Sequence, residues 1–466
     1  MLDMEERPAM APPGATGRLL DFMQDLRWSD LDAEVHHAAR RHLLDTVGVM
    51  IQGSIGDIAN TAERVLVAVR PEGSVPVPGR VRRADILDAA YLAGTAGHGI
   101  ELDDGYRQGS VHPAVCVIPS ALYASYGRGV SGVDLLEAVV AGYEVMNAIA
   151  YSAHPAIRHR GFHPTAVVGV FGAAAAAARL YGLDRLTLAN AFGIAASGGA
   201  GLFAFINGGT DIKRLHAGHA AREGLQAALL ARAGASGPPR VLEGRDGFLQ
   251  AFAYGSEPQR PLTLPPEVPF RIIDCYIKPY ACCRHLQPAV EALIALLDLE
   301  GIDEEDIRDV RVETYAISAA HAVTGWDEYA SAQLSFPYIM ALGMRFREIK
   351  VEHFEDKVRL DPSLAALCGK VRVDMAPDLD AQYPDLRPAR VTVTTDSGTF
   401  RGSAMEALGA RQVPFSDERL SGKFMEMAGP VLGDAEADRL LAQLWNVEAI
   451  PDVTALCDAF ARPARV

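Results

Sequence analysis

Glu101, Asp103 and Asp104 crowd into four positions of the stretch HGIELDDGYRQGSVHP (98–113), and His98 and His112 bracket them. Alanine-rich apolar sequence lies on both sides. Read alone, the stretch also fits a solvated helix end with packing histidines. It gains weight from other stretches that carry ionisable groups in apolar surroundings.

RGFHPTAVVGVFG (160–172) sets His163 before Pro164 and Thr165, residues suited to starting a small-residue helix. The positive end of that helix favours a neutral imidazole, the form a general base needs. In GGTDIKRLHAGHAAREG (208–224), helical spacing puts Lys213 and His216 on one face, with Arg214 and His219 beside them. Glycines 208, 209 and 218 let a ligand or another backbone come close, a setting for a small anion. IKPYACCRHLQPAVEAL (277–293) puts Lys278 at a strand end, and Arg284 and His285 ahead of a helix. Those residues read either as surface basics or as a carboxylate clamp. SAQLSFPYIMAL (331–342) offers Tyr338 in an apolar helix. Cys282, Cys283 and His285 form one cluster without a partner cluster, so no metal is expected. The glycines fit neither phosphate-loop nor dinucleotide patterns, so no nucleotide cofactor is expected.

The elements that must position these residues fall into two kinds. Residues 17 to about 255 read as successive helices; GRLLDFMQDL, DAEVHHAARRHLLDTVGVMI and VDLLEAVVAGYEVMNAIAYSA have helical apolar spacing, and Ser131 is an N-cap for the last. Alanine and glycine allow close helix packing. The Pro-rich SEPQRPLTLPPEVP reads as a linker. Beyond it come β-type runs, FRIIDCYI, DIRDVRVETY, REIKVEHF, KVRVD, ARVTVTT and TFRGSA, among helical patterns. The chain turns helical again after about 405. The predicted fold is mainly α: a helical domain from 1–260 and 405–466, with an α+β lid domain, 261–404, inserted. The cleft between them is the expected site.

The chain has 466 residues, 49% of them hydrophobic, enough for a large core. Its net charge of -15 and its lack of a Lys/Arg cluster argue against nucleic acid as a partner. The six cysteines form no disulfide framework, which suits reduced thiols and a cytoplasmic protein. The N-terminus lacks a signal-peptide pattern, and no stretch reads as a membrane span.

Taken in order, HGIELDDGY...HPA, GFHPTAVVGVFGAAAAAARLYGLD, GTDIKRLHAGHAAREGLQAALLARAGASGP, EGRDGF, KPYACCRH and SFPYIMAL resemble the MmgE/PrpD family from about residue 17 to LSGKF near 424. The resemblance implies a helical domain from both chain ends, an α+β lid, a homodimer, and no metal or organic cofactor. It implies a site of Glu101, His112, His163, Lys213, Lys278 and Tyr338, with Asp104, Arg284 and His285 contacting substrate. Better-known members carry Asp where this chain has Glu101, and Thr or Ser where it has Gly105.

The chemistry implied is proton removal from a carbon beside a carboxylate. The two lysines would stabilise the enediolate, His163 or His112 would act as base, and the other histidine or Tyr338 as acid. Glu101 would orient a histidine. The expected activity is a cofactor-independent, dehydratase-type lyase for a small di- or tricarboxylate. An epimerase, a decarboxylase and a non-catalytic carboxylate-binding homologue remain the alternatives.

Overall fold

Small residues and helical periodicity govern the larger part of the chain. The computed structural model describes residues 14–207, 210–253 and 260–462. The N-terminal stretch, glycines 208 and 209, and the start of the Pro-rich linker lie outside these residues.

The helices that build the site are α1 (Ala33–Ser54), α2 (Ile86–Gly99), α3 (Ala114–Ser125), α4 (Gly132–Ala153), α5 (Pro164–Leu180) and α6 (Ile212–Arg232). The Ser131 side chain accepts from the Asp134 backbone N–H, capping α4 as expected. Helix α6 packs on α5 and α2, and α5 also packs on α3 and α4. Glycine decides how close two of these helices come. A Cβ at Gly94 would lie 2.8 Å from Gly218 Cα, and one at Gly218 would lie 2.2 Å from the Tyr91 carbonyl oxygen. Helices α2 and α6 therefore meet backbone to backbone. About one turn from that crossing, α2 carries His98 and α6 carries Lys213.

The later segment contributes α7 (Gln287–Glu300), α8 (Phe336–Phe346) and a four-stranded sheet. Its strands are β1 (Ile307–Thr314), β2 (Val371–Met375), β3 (Ala389–Thr395) and β4 (Thr399–Ala404), in the order β2-β1-β3-β4. β1 runs parallel to β2 and antiparallel to β3, with Val312 opposite Val373 and Val391. The alternation of β3 buries Ala389, Val391 and Val393, and α7 packs on that sheet. The chain then returns through α9 (Asp417–Leu432) and α10 (Asp434–Trp445), with α9 lying on α1.

One apolar core gathers residues from 19–277 and 415–460. A second gathers residues from 281–393, joined by Val49, Ile100, Leu102 and Met427. No helix among the described residues is long and apolar enough to cross a membrane.

Two expected strands are not strands. FRIIDCYI forms a 3-10 turn, Arg271–Asp274. The Ile272 N–H donates to the Glu144 carboxylate at 2.9 Å, so this backbone is satisfied by a side chain rather than by a neighbouring strand. REIKVEHF begins where Arg347, at φ 56°, ends α8, and it closes in a second 3-10 turn, Val351–Phe354. Lys278 consequently stands in a loop beside the isolated bridge Gly105–Tyr276, not at a strand end.

Candidate active site

The ionisable stretch turns directly off the end of α2. Glu101 adopts φ 55°, a left-handed conformation that costs a non-glycine residue roughly 1 kcal/mol. The turn sends successive acids in different directions. The Glu101 carboxylate lies between two ammonium groups, in contact with Lys213 and 3.2 Å from Lys278. Lys278 Nζ also donates to the Glu101 carbonyl oxygen at 3.1 Å and to Asp103 Oδ1 at 3.3 Å. Burial, and then the Lys278 charge, pull the Lys213 ammonium well below its ordinary range. Removing one partner from buried pairs of this kind typically costs about 3–5 kcal/mol.

Asp103 is the hub of the stretch. Its Oδ2 receives His98 Nδ1 at 2.7 Å and lies 3.2 Å from His112 Nδ1. Burial works against the Asp103 charge, but Lys278 and the two imidazoles overcome it and hold the carboxyl well below its usual range. His112 Nδ1 also lies 2.6 Å from the Asp104 carbonyl oxygen. Both neighbours accept hydrogen bonds, so Nδ1 carries a hydrogen, and in the neutral ring the lone pair lies on Nε2. The His112 side chain is 16% exposed whereas His98 is 0% exposed, so His112 is the imidazole of this pair with room to meet a substrate.

A neutral wall faces this charged one. His163 precedes Pro164 at the start of α5, as the sequence predicts. Its Nδ1 lies 3.0 Å from His216 Nδ1, so one ring donates and the other accepts. Phe203 and Phe205 meet the His163 ring edge-on, and His98 stacks parallel to it with centroids 6.0 Å apart. Burial, followed by neighbouring imidazoles, drives His163 well below its ordinary value. Burial also brings His98 down to about 3 and His216 to about 4. These rings are uncharged near neutral pH.

The structure thus gathers Glu101, His112, His163, Lys213 and Lys278. It moves the histidine-orienting role from Glu101 to Asp103. The other four expected site residues make different contacts. Asp104 accepts from the Ala114 N–H at 3.0 Å and from the Tyr143 hydroxyl at 2.9 Å, with His42 Nδ1 at 3.3 Å. It anchors the start of α3 and is 1% exposed. Arg284 donates to the Leu408 and Ala407 carbonyl oxygens and pairs with Glu406, so its guanidinium ties backbone rather than meeting substrate. Tyr338 is buried in the second core, where its hydroxyl donates to the His353 carbonyl oxygen at 2.5 Å. His285 stands ahead of α7, with Nδ1 2.6 Å from the Tyr315 hydroxyl and its ring parallel to His321.

Several residues were not singled out from the sequence: Asp103, His98 and His216 as working members, Tyr276, and the pair Cys283–His321. Burial raises the Cys283 thiol, but the hydrogen bond and charge of His321 outweigh it and bring the thiol down to about 6. His321 is correspondingly raised against the opposing effect of burial. Gly105 has a steric reason: a Cβ there would lie 2.2 Å from the Tyr276 hydroxyl oxygen. The tyrosine hydroxyl occupies the space a Ser or Thr side chain would need. The HGIELDDG stretch contains Asp103, but spacing does not show which of two adjacent acids turns inward.

Two groups among the described residues bring three metal-type donors together: His98, Asp103 and His112, and His42, Asp104 and Cys275. A cation in the first would have to displace the Lys278 ammonium and two imidazole hydrogen bonds from Asp103. In the second, burial holds the Cys275 thiol well above its ordinary pKa, which disfavours the thiolate a metal needs.

Comparison with known proteins places this geometry in context. A family model described as the MmgE/PrpD N-terminal domain matches residues 17–261, and one described as the MmgE/PrpD C-terminal domain matches residues 280–447. The chain is 25% identical to a cis-aconitate decarboxylase of Aspergillus terreus, across 98% of this chain and 97% of that protein. It is 27% identical to the cis-aconitate decarboxylase of Homo sapiens, across 94% and 93%. It is 24% identical to a 2-methylcitrate dehydratase of Cupriavidus necator, across 84% and 85%.

Proposed function

The chain belongs to the MmgE/PrpD family, and from that premise we propose that it is a lyase that forms a carbanion beside a carboxylate of a small polycarboxylic acid. One observation carries the reading. His112 has its Nδ1 hydrogen held by Asp103 and the Asp104 carbonyl, so its Nε2 lone pair is available next to the Lys213–Glu101–Lys278 cluster.

Dehydration follows from that arrangement. His112 Nε2 takes the proton from the carbon beside a carboxylate. The N–H donors of Lys213 and Lys278 stabilise the enediolate that develops. The electron pair then forms the double bond as the neighbouring C–O bond breaks. The hydroxyl leaves as water with a proton from an imidazolium, for which His321, hydrogen-bonded to Cys283 and stacked on His285, is the candidate. The reaction is written with protein groups alone. Base and acid catalysis of this kind contribute about 10²–10⁴-fold each.

A second reading is decarboxylation, in which loss of CO2 leaves the same carbanion and a protein acid protonates it. The near-complete alignment with cis-aconitate decarboxylases favours it.

Proton NMR in D2O separates these readings, with citrate, 2-methylcitrate, cis-aconitate, itaconate and iminodisuccinate as the panel. Loss of water, loss of CO2 or exchange of a carbon-bound proton without elimination identifies dehydratase, decarboxylase or epimerase. Lys213→Ala should abolish whichever reaction is seen while the fold survives. Silence across the panel, or full activity in Lys213→Ala, would overturn the assignment.

A further inference from the structure

Sequence reasoning expected an arginine clamp at Arg284, and the structure commits that side chain to backbone carbonyls. A different guanidinium is uncommitted. Arg387, just before β3, is 4% exposed, and its Nε and Nη1 have no hydrogen-bond partner. Buried guanidinium groups are ordinarily paired, so the unused hydrogens on Nε and Nη1 mark a place for an acceptor.

The surroundings indicate which acceptor. Arg387 borders a small, solvent-open cleft with Arg107, Tyr276, Glu406, Arg411 and Asp274. Glu406 is already held between Arg107 and Arg284, and Asp274 pairs with Arg411. Arg411 also pairs with Glu34, so the four guanidiniums of Arg107, Arg284, Arg387 and Arg411 stand against the three carboxylates of Glu406, Asp274 and Glu34, and Arg387 is the one left without a carboxylate. One positive charge on a planar, two-pronged donor matches a single carboxylate better than a phosphate dianion. The Arg387 guanidinium carbon lies 5.4 Å from the centroid of the Tyr276 ring, and the hydroxyl of that ring touches Gly105, two residues from Asp103. Tyr276 thus forms a wall shared by the cleft and the proton-transfer cluster.

We propose that Arg387 is a specificity-determining residue that grips a substrate carboxylate remote from the reacting carbon. The inference rests on the polycarboxylate reading above. It makes the charged cleft the part of the protein that distinguishes tricarboxylates from acids with one carboxylate fewer.

Calorimetric binding of tricarballylate and of glutarate to the wild-type protein, R387M and R387K tests it. The wild-type protein should prefer tricarballylate by about 100-fold, in line with one charge-assisted bidentate contact. R387M should bind the two acids within about threefold of each other, because the contact that separates them is gone. R387K keeps the charge but not the fork and should fall between. A purely structural role for Arg387 would weaken both acids equally and leave the ratio intact. An unchanged ratio in R387M, or in R387K should R387M fail to fold by circular dichroism, overturns the proposal while leaving the polycarboxylate reading in place. A wild-type protein that binds neither acid overturns both.

Discussion

Asp103 and Asp104 are neighbours in sequence and sit in two unlike regions. Around Asp103 are the Lys278 ammonium, two imidazoles and a partly open edge at His112. Around Asp104 are a helix N-terminus, a tyrosine hydroxyl, His42 and Cys275, sealed in the helical core. Both carboxylates are buried and both are well supplied with donors. The difference is access. One network ends on a lone pair that a ligand can reach, and the other closes on itself. Burial and hydrogen bonding alone do not identify a working acid; what the last member of the network faces does.

The contrast can be broken by exchanging charge for amide at each position. Asp103→Asn should lower kcat by about a thousandfold, because it releases the His112 tautomer and leaves Lys278 short of one anion. A kcat within a few-fold of wild type would remove Asp103 from the mechanism.

Acid should act on the Asp103 side through its neutral histidines. The unfolded chain protonates these rings near pH 6.5, whereas folded His98 does so at about 3 and folded His216 at about 4. Between those limits the unfolded state holds more protons, so stability falls as pH drops below about 6.5. At pH 5 each ring should cost about 2 kcal/mol. Urea midpoints at pH 7 and pH 5 measure the sum, and replacing His216 with Gln should flatten the dependence. Identical slopes in the variant and the wild type would show that His216 is not held neutral.

Asp104→Asn should behave as a stability variant. It weakens the contacts to Ala114 and Tyr143 and should cost about 2 kcal/mol, seen as a lower Tm, with kcat within about threefold of wild type. The smallest effect belongs to Tyr338, which the family pattern puts in the site and the structure puts in the second core. Tyr338→Phe should lose about 1 kcal/mol with the His353 contact and leave kcat unchanged. A large loss of kcat in that variant would return the hydroxyl to the chemistry.

The sequence made the elements more legible than their directions. β1, β2 and β3 were readable because β-branched residues recur through short runs, with a regular buried face in β3. FRIIDCYI has the same composition, but its backbone is satisfied by Glu144, a residue far away in the chain. The site showed the same limit. Lys213, Lys278, Glu101 and His112 could be named because their residue types sit in ordered motifs. Arg284 and Asp104 belong to those motifs too, yet their side chains are spent on backbone and core contacts. Arg387 has no motif signal, and only its unpartnered burial marks it.

The most direct test of the central claim is the rate of substrate carbon–hydrogen cleavage, followed by NMR in D2O, for wild type, Asp103→Asn and Asp104→Asn with the substrate the panel identifies. The Asp103–His112 arrangement predicts equal rates for wild type and Asp104→Asn, and a rate lower by about a thousandfold for Asp103→Asn. Equal cleavage by wild type and Asp103→Asn would contradict it.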